Sequence, residues 1–365
     1  MYDYLIVGAG LFGGVFAHEA RRKAKSVLVM DKRPHIGGNC YSENKKGVEV
    51  HMYGPHIFHT SDEKIWKFIN QFTSFNSFVF RPKVNFGGRM FSFPINMMTM
   101  HQLWGVNTPD EARKKLDEVR IHCDNPRNLE EWILSQVGQE IYQTFIHGYT
   151  KKQWMKDPKD LPASIIKRLP IRLTYDDNYF NDTYQGIPHN GYTEIFRGLL
   201  QGCDMALGED FFADRAKWEK MAKRVVFTGK IDEYFDYHHG ELEYRSLRFE
   251  HNTRDGDQQG NAVVNYTESD VLWTRITEHK HFTPEKLDKI TNSIYTKEFP
   301  IEWNRNETPY YPIGDERNVE IYRKYREIAD QTPGVLFGGR LSEYKYYDMH
   351  QVIGSALQKS RREFV

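Results

Sequence analysis

A short apolar run, Leu5-Ile6-Val7, ends at once in Gly8-Ala9-Gly10-Leu11-Phe12-Gly13. Few sequence features limit a fold as sharply. The run suits a strand, and Phe12 to Lys25 then carries a helical pattern, with Val15, Phe16 and Ala20 apolar and Arg21-Arg22-Lys23 polar. Ser26 to Met30 is a second β-rich run ending at Asp31. Strand, helix and strand within about 30 residues require a parallel pair joined by a right-handed crossover. Gly8, Gly10 and Gly13 fit GxGxxG. Such glycines let the backbone approach a pyrophosphate, while the helix N-terminus supplies N–H donors and a positive dipole. Asp31, 18 residues after Gly13, stands where an acid can hold ribose hydroxyls. GxGxxG alone is a weak signal. With strand, helix, strand and acid in register, it reads as a dinucleotide site, and a purely structural glycine turn becomes the minority explanation.

Two further segments bear on which dinucleotide. Arg33-Pro34-His35-Ile36-Gly37-Gly38-Asn39 follows Asp31, and its double glycine lets the chain pass close to an extended ligand. NAD folds need no such second loop. Near the other end, Phe337-Gly338-Gly339-Arg340 precedes Asp348-Met349 by a few residues and offers another strand-turn-helix. An ordinary turn at Gly338-Gly339 is the competing explanation. Two glycine sites at opposite ends of the chain favour FAD over NAD.

Between them the pattern changes. Ser61 to Phe72 is expected to be helical, capped by Ser61 or Asp62, after a loop-rich stretch with single strands at most. Residues 83–95 alternate around Gly87-Gly88, a hairpin signal. Thr108 to about Lys167 is expected to be helical, with Pro109 in a first turn. Residues 191–204 predict a helix, 224–229 a strand ending in glycine, and 240–280 an antiparallel sheet. Asn318 to Ala329 and Met349 to Phe364 predict helices. The expected fold class is α/β: a Rossmann-like FAD-binding domain of glutathione-reductase type, an inserted helical domain and an antiparallel β-sheet domain. The expected boundaries are 1–75, 188–235 and 325–365 for the first, 96–168 for the second, and 76–95, 169–187 and 236–324 for the third.

Composition narrows the function classes. A chain of 365 residues has room for two or three domains. Lys plus Arg and Asp plus Glu each number 50, so no global charge attracts nucleic acid or an anionic membrane. No stretch approaches the ~20 apolar residues of a membrane span, and Leu5–Val7 is too short for a signal peptide. Cys40, Cys123 and Cys203 form no CxxC or zinc spacing, and so sparse a set suits a reducing cytoplasm. Glu278-His279-Lys280-His281 tempts a metal reading; in a strand the two histidines share a face, but no carboxylate or cysteine is expected to complete a site. Aromatics at 14% suit an enzyme with an aromatic-lined cleft.

Residues 1–39 resemble the glutathione-reductase-type FAD fold, and the rest resembles the bacterial UDP-galactopyranose mutase family. The matching stretches begin with Tyr53-Gly54-Pro55-His56-Ile57-Phe58-His59-Thr60, Gly148-Tyr149-Thr150-Lys151-Lys152-Gln153-Trp154 and Leu161-Pro162-Ala163-Ser164-Ile165-Ile166-Lys167-Arg168. They continue through Asn178-Tyr179-Phe180, Tyr184-Gln185-Gly186-Ile187-Pro188, Thr274-Arg275-Ile276 and Glu278-His279-Lys280-His281-Phe282. Pro309-Tyr310-Tyr311-Pro312 and Tyr344-Lys345-Tyr346-Tyr347-Asp348-Met349-His350-Gln351 close the set.

The resemblance implies a flavoenzyme isomerase that interconverts UDP-galactopyranose and UDP-galactofuranose through a reduced-flavin N5–sugar covalent adduct. There is no net redox change, and the product is a furanose donor for cell-surface glycans. FAD, active when reduced, is expected at Gly8, Gly10, Phe12, Gly13, Asp31, Lys32, Gly38, Asn39, His56, Ile57, Gly339, Arg340, Asp348 and Met349. Arg168 and Arg275 are placed on the substrate diphosphate, where arginine forks match phosphate geometry; His56 lies beside the isoalloxazine, tuning it or holding a backbone bend. Tyr179, Tyr311 and Tyr346 are placed on the same phosphates; Phe145, Tyr149, Thr150 and Trp154 form a mobile aromatic wall for uracil and ribose, with helical core as the competing explanation for the aromatics. Arg245 and Asn265 complete the substrate side. The implied partners are a UDP-sugar and an external reductant or NAD(P)H; family members are commonly homodimers.

Two positions depart from the family pattern. Phe80 stands where relatives usually carry Asn, which bears on sugar preference, and Met155 stands where glycine is common. Alternatives are a mutase for another UDP-hexopyranose such as UDP-N-acetylgalactosamine, or an amine-oxidase-like flavoenzyme. A third is a flavin-free binding protein resembling Rab GDP-dissociation inhibitors.

Overall fold

The computed structural model describes residues 1–167 and 169–364. The chain forms two compact units, each discontinuous in sequence. One comprises Met1–Ser77, Asp182–Arg245 and Arg305–Val365; the other comprises Phe78–Asn181 and Ser246–Asn304.

The first unit is built on β1 (Tyr2–Val7), α1 (Leu11–Arg22) and β2 (Val27–Asp31). Its five-stranded sheet runs Val335–Phe337, Ala222–Phe227, β1, β2, Asp204–Leu207, and every neighbouring pair is parallel. A parallel sheet covered on both faces demands continuous apolar strands, and Leu5 and Ile6 are fully buried. On α1, Val15, Phe16, Ala17 and Ala20 are buried and meet the helices Tyr192–Leu199 and Met349–Glu363. Residues from both ends of the chain therefore share one core, with Tyr4, Phe16 and Phe364 in mutual ring contact. Asp62 caps the helix Glu63–Ile69, its carboxylate accepting from the N–H groups of Lys64 and Ile65.

Two expectations fail here. The helix expected over 191–204 stops at Leu199, and Asp204–Leu207 is an edge strand beside β2. The stretch after Asp31 holds a paired hairpin, Ser42–Lys45 with Val48–His51, rather than single strands.

In the second unit the strand order is Tyr244–Asp255, Asn292–Glu302, Arg275–Glu278, Val263–Tyr266, Lys83–Phe86, Arg89–Ser92. The first of these contributes Tyr244 and Arg245 to the other unit. The hairpin turns at Gly87-Gly88 as expected, both glycines having positive φ. One junction breaks the antiparallel rule: Val263–Tyr266 runs parallel to Lys83–Phe86.

The helical stretch is interrupted. Thr108 and Glu111 form a capping box on Pro109–Val119, and a second helix covers Leu129–Ile141. Between them Arg120 turns extended and Pro126 follows, which prevents continuation. A π-turn, Tyr142–His147, leads into the helix Gly148–Trp154. Leu116, Ile133, Val137, Ile141 and Phe145 form the core beneath.

Candidate active site

In the first unit the glycine turn after β1 is sterically committed. Gly8 has φ +114°, and a Cβ there would lie 2.0 Å from Thr228 Oγ1. A Cβ on Gly13 would lie 2.0 Å from the Gly8 carbonyl oxygen, so α1 starts as close to β1 as backbone allows. Asp31 is engaged with this turn: its carboxylate accepts from the Ala9 N–H at 2.8 Å and the Arg33 N–H at 2.9 Å, on different oxygens. Each oxygen retains capacity for a further donor, such as a ribose hydroxyl. The double glycine lies against the first turn. Gly37 N–H donates to the Ala9 carbonyl at 2.9 Å, and a Cβ on Gly38 would stand 3.0 Å from Gly10 Cα. Asn39 accepts from Arg33, and Lys32 is exposed.

The C-terminal glycines close the same cradle. A Cβ on Gly338 would strike the Phe12 ring at 2.1 Å, and Gly339 lies over Phe12 Cβ. Arg340 donates to the Tyr310 carbonyl at 2.5 Å, while its Nε is buried without a hydrogen-bond partner. The guanidinium stands 5.8 and 5.7 Å from the ring centres of Tyr311 and Tyr346, which stack at 5.2 Å. Asp348 caps the helix Met349–Glu363 through a capping box with Gln351. Arg245 is buried, its carbonyl accepting from the Tyr310 N–H. His56 hydrogen-bonds through Nδ1 to the Gly54 carbonyl at 2.9 Å, and its own carbonyl accepts from the Tyr192 hydroxyl. Burial drives its pKa down to about 4, with the nearby Arg340 charge acting the same way, so the ring is neutral at pH 7. Ile57 is buried beside it. A cradle closed to Cβ atoms and an orphaned guanidinium N–H fit a dinucleotide with an anionic or carbonyl acceptor.

In the second unit three polar residues form one row across adjacent strands. Arg275 pairs with Asn265 on one side and Glu298 on the other. Directly opposed residues share a sheet face. Arg275 Nε lies 3.2 Å from Glu298 Oε1, and an Nη2 N–H donates to the Tyr149 hydroxyl at 2.7 Å. Glu298 is 2% exposed; burial raises its pKa and Arg275 opposes the rise. The row fixes a guanidinium between an interior carboxylate and a tyrosine hydroxyl. Tyr149 and Trp154 lie on the helix Gly148–Trp154, within the stretch expected to be helical. Met155 follows with φ +52°, the left-handed conformation in which glycine is the unstrained residue. Thr150 is buried on the same helix. Phe145 is 2% exposed and packs between Phe91 and Phe93 in the core of this unit. Tyr179 meets the rings of Phe80 and Phe93, and its N–H donates to the Phe80 carbonyl. Arg168 lies outside the described residues.

The histidine motif differs from its expectation. His279 and His281 sit in a 3₁₀ turn, not a strand, and His279 hydrogen-bonds Thr296. Carboxylates are present after all: Asp257 and Glu278 each lie 3.5 Å from His281 Nε2. The Lys280 ammonium already pairs with Asp257. Burial opposes the Glu278 carboxylate, but His281, Ser293 and the N–H groups of Gln258 and Gln259 outweigh it and hold its pKa at about 2. A second cluster joins His59, Asp348 and His350, with His59 Nδ1 2.6 Å from Asp182. We assign no metal to either.

A family model described as UDP-galactopyranose mutase matches residues 144–346, and one described as an NAD(P)-binding Rossmann-like domain matches 6–72. A probable UDP-galactopyranose mutase of Klebsiella pneumoniae is 40% identical over 100% of this chain and 94% of its own length. The chain belongs to the UDP-galactopyranose mutase family. It is therefore an isomerase, and its Rossmann-like domain is a dinucleotide fold. A dTDP-fucopyranose mutase of Escherichia coli is also 40% identical, over 98% of this chain and 97% of its own. A solved structure of reduced UDP-galactopyranose mutase shares the fold at TM-score 0.77 and 13% identity, covering 100% of this chain and 94% of the other. Among the described residues, no helix is long and apolar enough to cross a membrane.

Sequence reasoning missed Glu298 and Thr228. The signal for Glu298 was its phase: Ile294, Thr296 and Glu298 alternate on the buried side of their strand. Thr228 had no comparable signal, since its contact with Gly8 depends on strand order.

Proposed function

We propose that this chain interconverts UDP-galactopyranose and UDP-galactofuranose with reduced FAD bound and no net redox change. The observation that carries the reading is Arg275, oriented by Glu298 and Tyr149 in a chain of this family. Reduced FAD, held by Gly8, Gly10, Gly13, Asp31, Gly38 and Arg340, would supply the nucleophile for covalent catalysis. Arg275 and Arg168 hold the diphosphate as negative charge develops and keep UDP in place for its return. Tyr179, Tyr311 and Tyr346 add hydroxyls to the same phosphates; Tyr149, Thr150 and Trp154 hold base and ribose, with Asn265 and Arg245 on the substrate side. Neutral His56 keeps its backbone bend through Nδ1, leaving Nε2 as an acceptor. An external reductant or NAD(P)H charges the flavin. The enzyme acts in the cytoplasm as a homodimer and feeds cell-surface glycan assembly.

A second reading, a dTDP-6-deoxyhexose substrate, is favoured by one observation. Phe80 is buried against Tyr179 and Phe180 and offers no side-chain hydrogen bond to a sugar hydroxyl. A relative of equal identity is named for dTDP-fucopyranose, whose sugar carries a methyl where galactose has a hydroxymethyl group. The test is chromatography of products from UDP-galactopyranose and dTDP-fucopyranose with dithionite-reduced enzyme. Furanose from the first alone supports the main reading; furanose from the second alone replaces it.

A further inference from the structure

Lys152 lies on the helix that carries Tyr149, three residues further on. Its ammonium donates to three backbone carbonyls at once: Tyr266 at 2.8 Å, Val271 at 2.9 Å and Trp273 at 2.9 Å. A lysine ammonium has three N–H donors, so all three are used. The accepting carbonyls belong to the connection between Val263–Tyr266 and Arg275–Glu278, and this connection feeds directly into Arg275. Other contacts tie the same two segments. The Thr267 hydroxyl donates to the Thr144 carbonyl at 2.6 Å in the interior, and a Cβ on Gly148 would lie 2.2 Å from the Thr267 carbonyl oxygen. The Tyr266 N–H donates to the Thr274 carbonyl, and the Thr274 N–H to the Glu298 carbonyl. Burial disfavours the Lys152 ammonium, with Glu268 and Asp270 favouring it. A charge kept against desolvation on three carbonyls marks a junction whose geometry matters.

We propose that Lys152 is a positioning residue for the substrate side: it locks the 148–154 helix to the 266–274 connection and so sets the Tyr149–Arg275 contact. The inference rests on the reading of Arg275 as the diphosphate ligand. Lys152 touches neither substrate nor cofactor; it acts through backbone that both partners share.

The test is a double-mutant cycle on the full FAD-loaded chain, with UDP affinity by calorimetry beside kcat and KM for UDP-galactopyranose. Lys152→Met keeps the stem and removes every donor. In the parent it should lower kcat/KM and UDP affinity on the order of 10- to 100-fold, as expected for lost charge-assisted hydrogen bonds. In a Tyr149→Phe background it should cost less than about threefold, because the contact it positions is already gone. Lys152→Arg retains charge and donors, and should recover part of the loss. FAD content should match the parent throughout. Wild-type kcat/KM and UDP affinity in Lys152→Met would overturn the proposal. So would an equal loss in both backgrounds, which would mark a general structural role. Should Lys152→Met not fold, the same cycle run with Lys152→Gln, which drops the charge and keeps at most two donors, decides: loss in the parent but not in the Tyr149→Phe background supports the proposal, and no loss overturns it. Arg275→Ala separates the layers. If it leaves UDP affinity intact, the diphosphate reading fails; if it abolishes affinity while the cycle is additive, only the Lys152 inference fails.

Discussion

Replacing Arg275 by Ala removes two things at once. The Tyr149 hydroxyl loses its 2.7 Å donor, and Glu298 loses the cation 3.2 Å from its carboxylate. For catalysis, a charge-assisted contact to a departing diphosphate in a closed site is worth about 2 to 4 kcal/mol, or roughly 30- to 1,000-fold in kcat/KM. For folding, breaking a buried pair costs about 3 to 5 kcal/mol if the surviving charge stays ionised. Glu298 has an escape, since burial already raises its pKa and the variant removes the opposing charge. A carboxyl whose folded pKa exceeds its unfolded value binds protons preferentially in the native state, so stability falls as pH rises through that window. Arg275→Ala should therefore be more damaged at pH 8 than at pH 5. Arg275→Ala/Glu298→Gln should lose this slope and recover stability without recovering turnover. The assays are Tm across pH, FAD content, and kcat and KM of reduced enzyme. Arg326→Ala, which breaks an exposed pair with Asp330, is the near-neutral control. Wild-type kcat/KM in folded Arg275→Ala, or full activity in the double variant, would show that Arg275 does not hold the diphosphate.

Three other outcomes follow from local geometry. Met155→Gly relieves a left-handed residue and should raise stability by about 0.5 to 1 kcal/mol; a lower Tm in denaturation would count against the φ of +52°. His56 has its pKa held at about 4 against an ordinary 6.5, so the unfolded chain takes up a proton first as pH falls. That costs up to about 3 kcal/mol between pH 6.5 and 4, and the difference between wild type and His56→Gln should show it; parallel curves would contradict a neutral, half-buried ring. UDP should quench tryptophan fluorescence, and Trp154→Phe should shrink the quench; an unchanged quench would place Trp154 in static core.

The Rossmann-like half was legible because its signals are local. Strand, glycines, helix and Asp31 follow one another within a single crossover, and the structure keeps them in register. The edge strand Asp204–Leu207 was not, because four half-exposed residues carry no period and borrow their strand character from β2. The parallel junction of Val264 with Lys83 was equally hidden, since the partners lie far apart in sequence and nothing in either segment specifies orientation. The break after Val119 did have a signal in Pro126, which the helical pattern on both sides outweighed. At the site, Arg275 stood out as a charge in a β-rich run. Glu298 and Lys152 look like surface residues in the text, and only cross-strand register and a three-carbonyl cage distinguish them.

The most direct test of the central claim is a product assay. FAD-loaded enzyme is reduced with a measured amount of dithionite, given excess UDP-galactopyranose without oxygen, and sampled by chromatography while reductant is followed. UDP-galactofuranose should appear in many-fold excess over flavin, approaching an equilibrium mixture, with no reductant consumed per turnover and near-silence in oxidised enzyme. No furanose from UDP-galactopyranose, or NAD(P)H oxidised in step with sugar turnover, would contradict that claim.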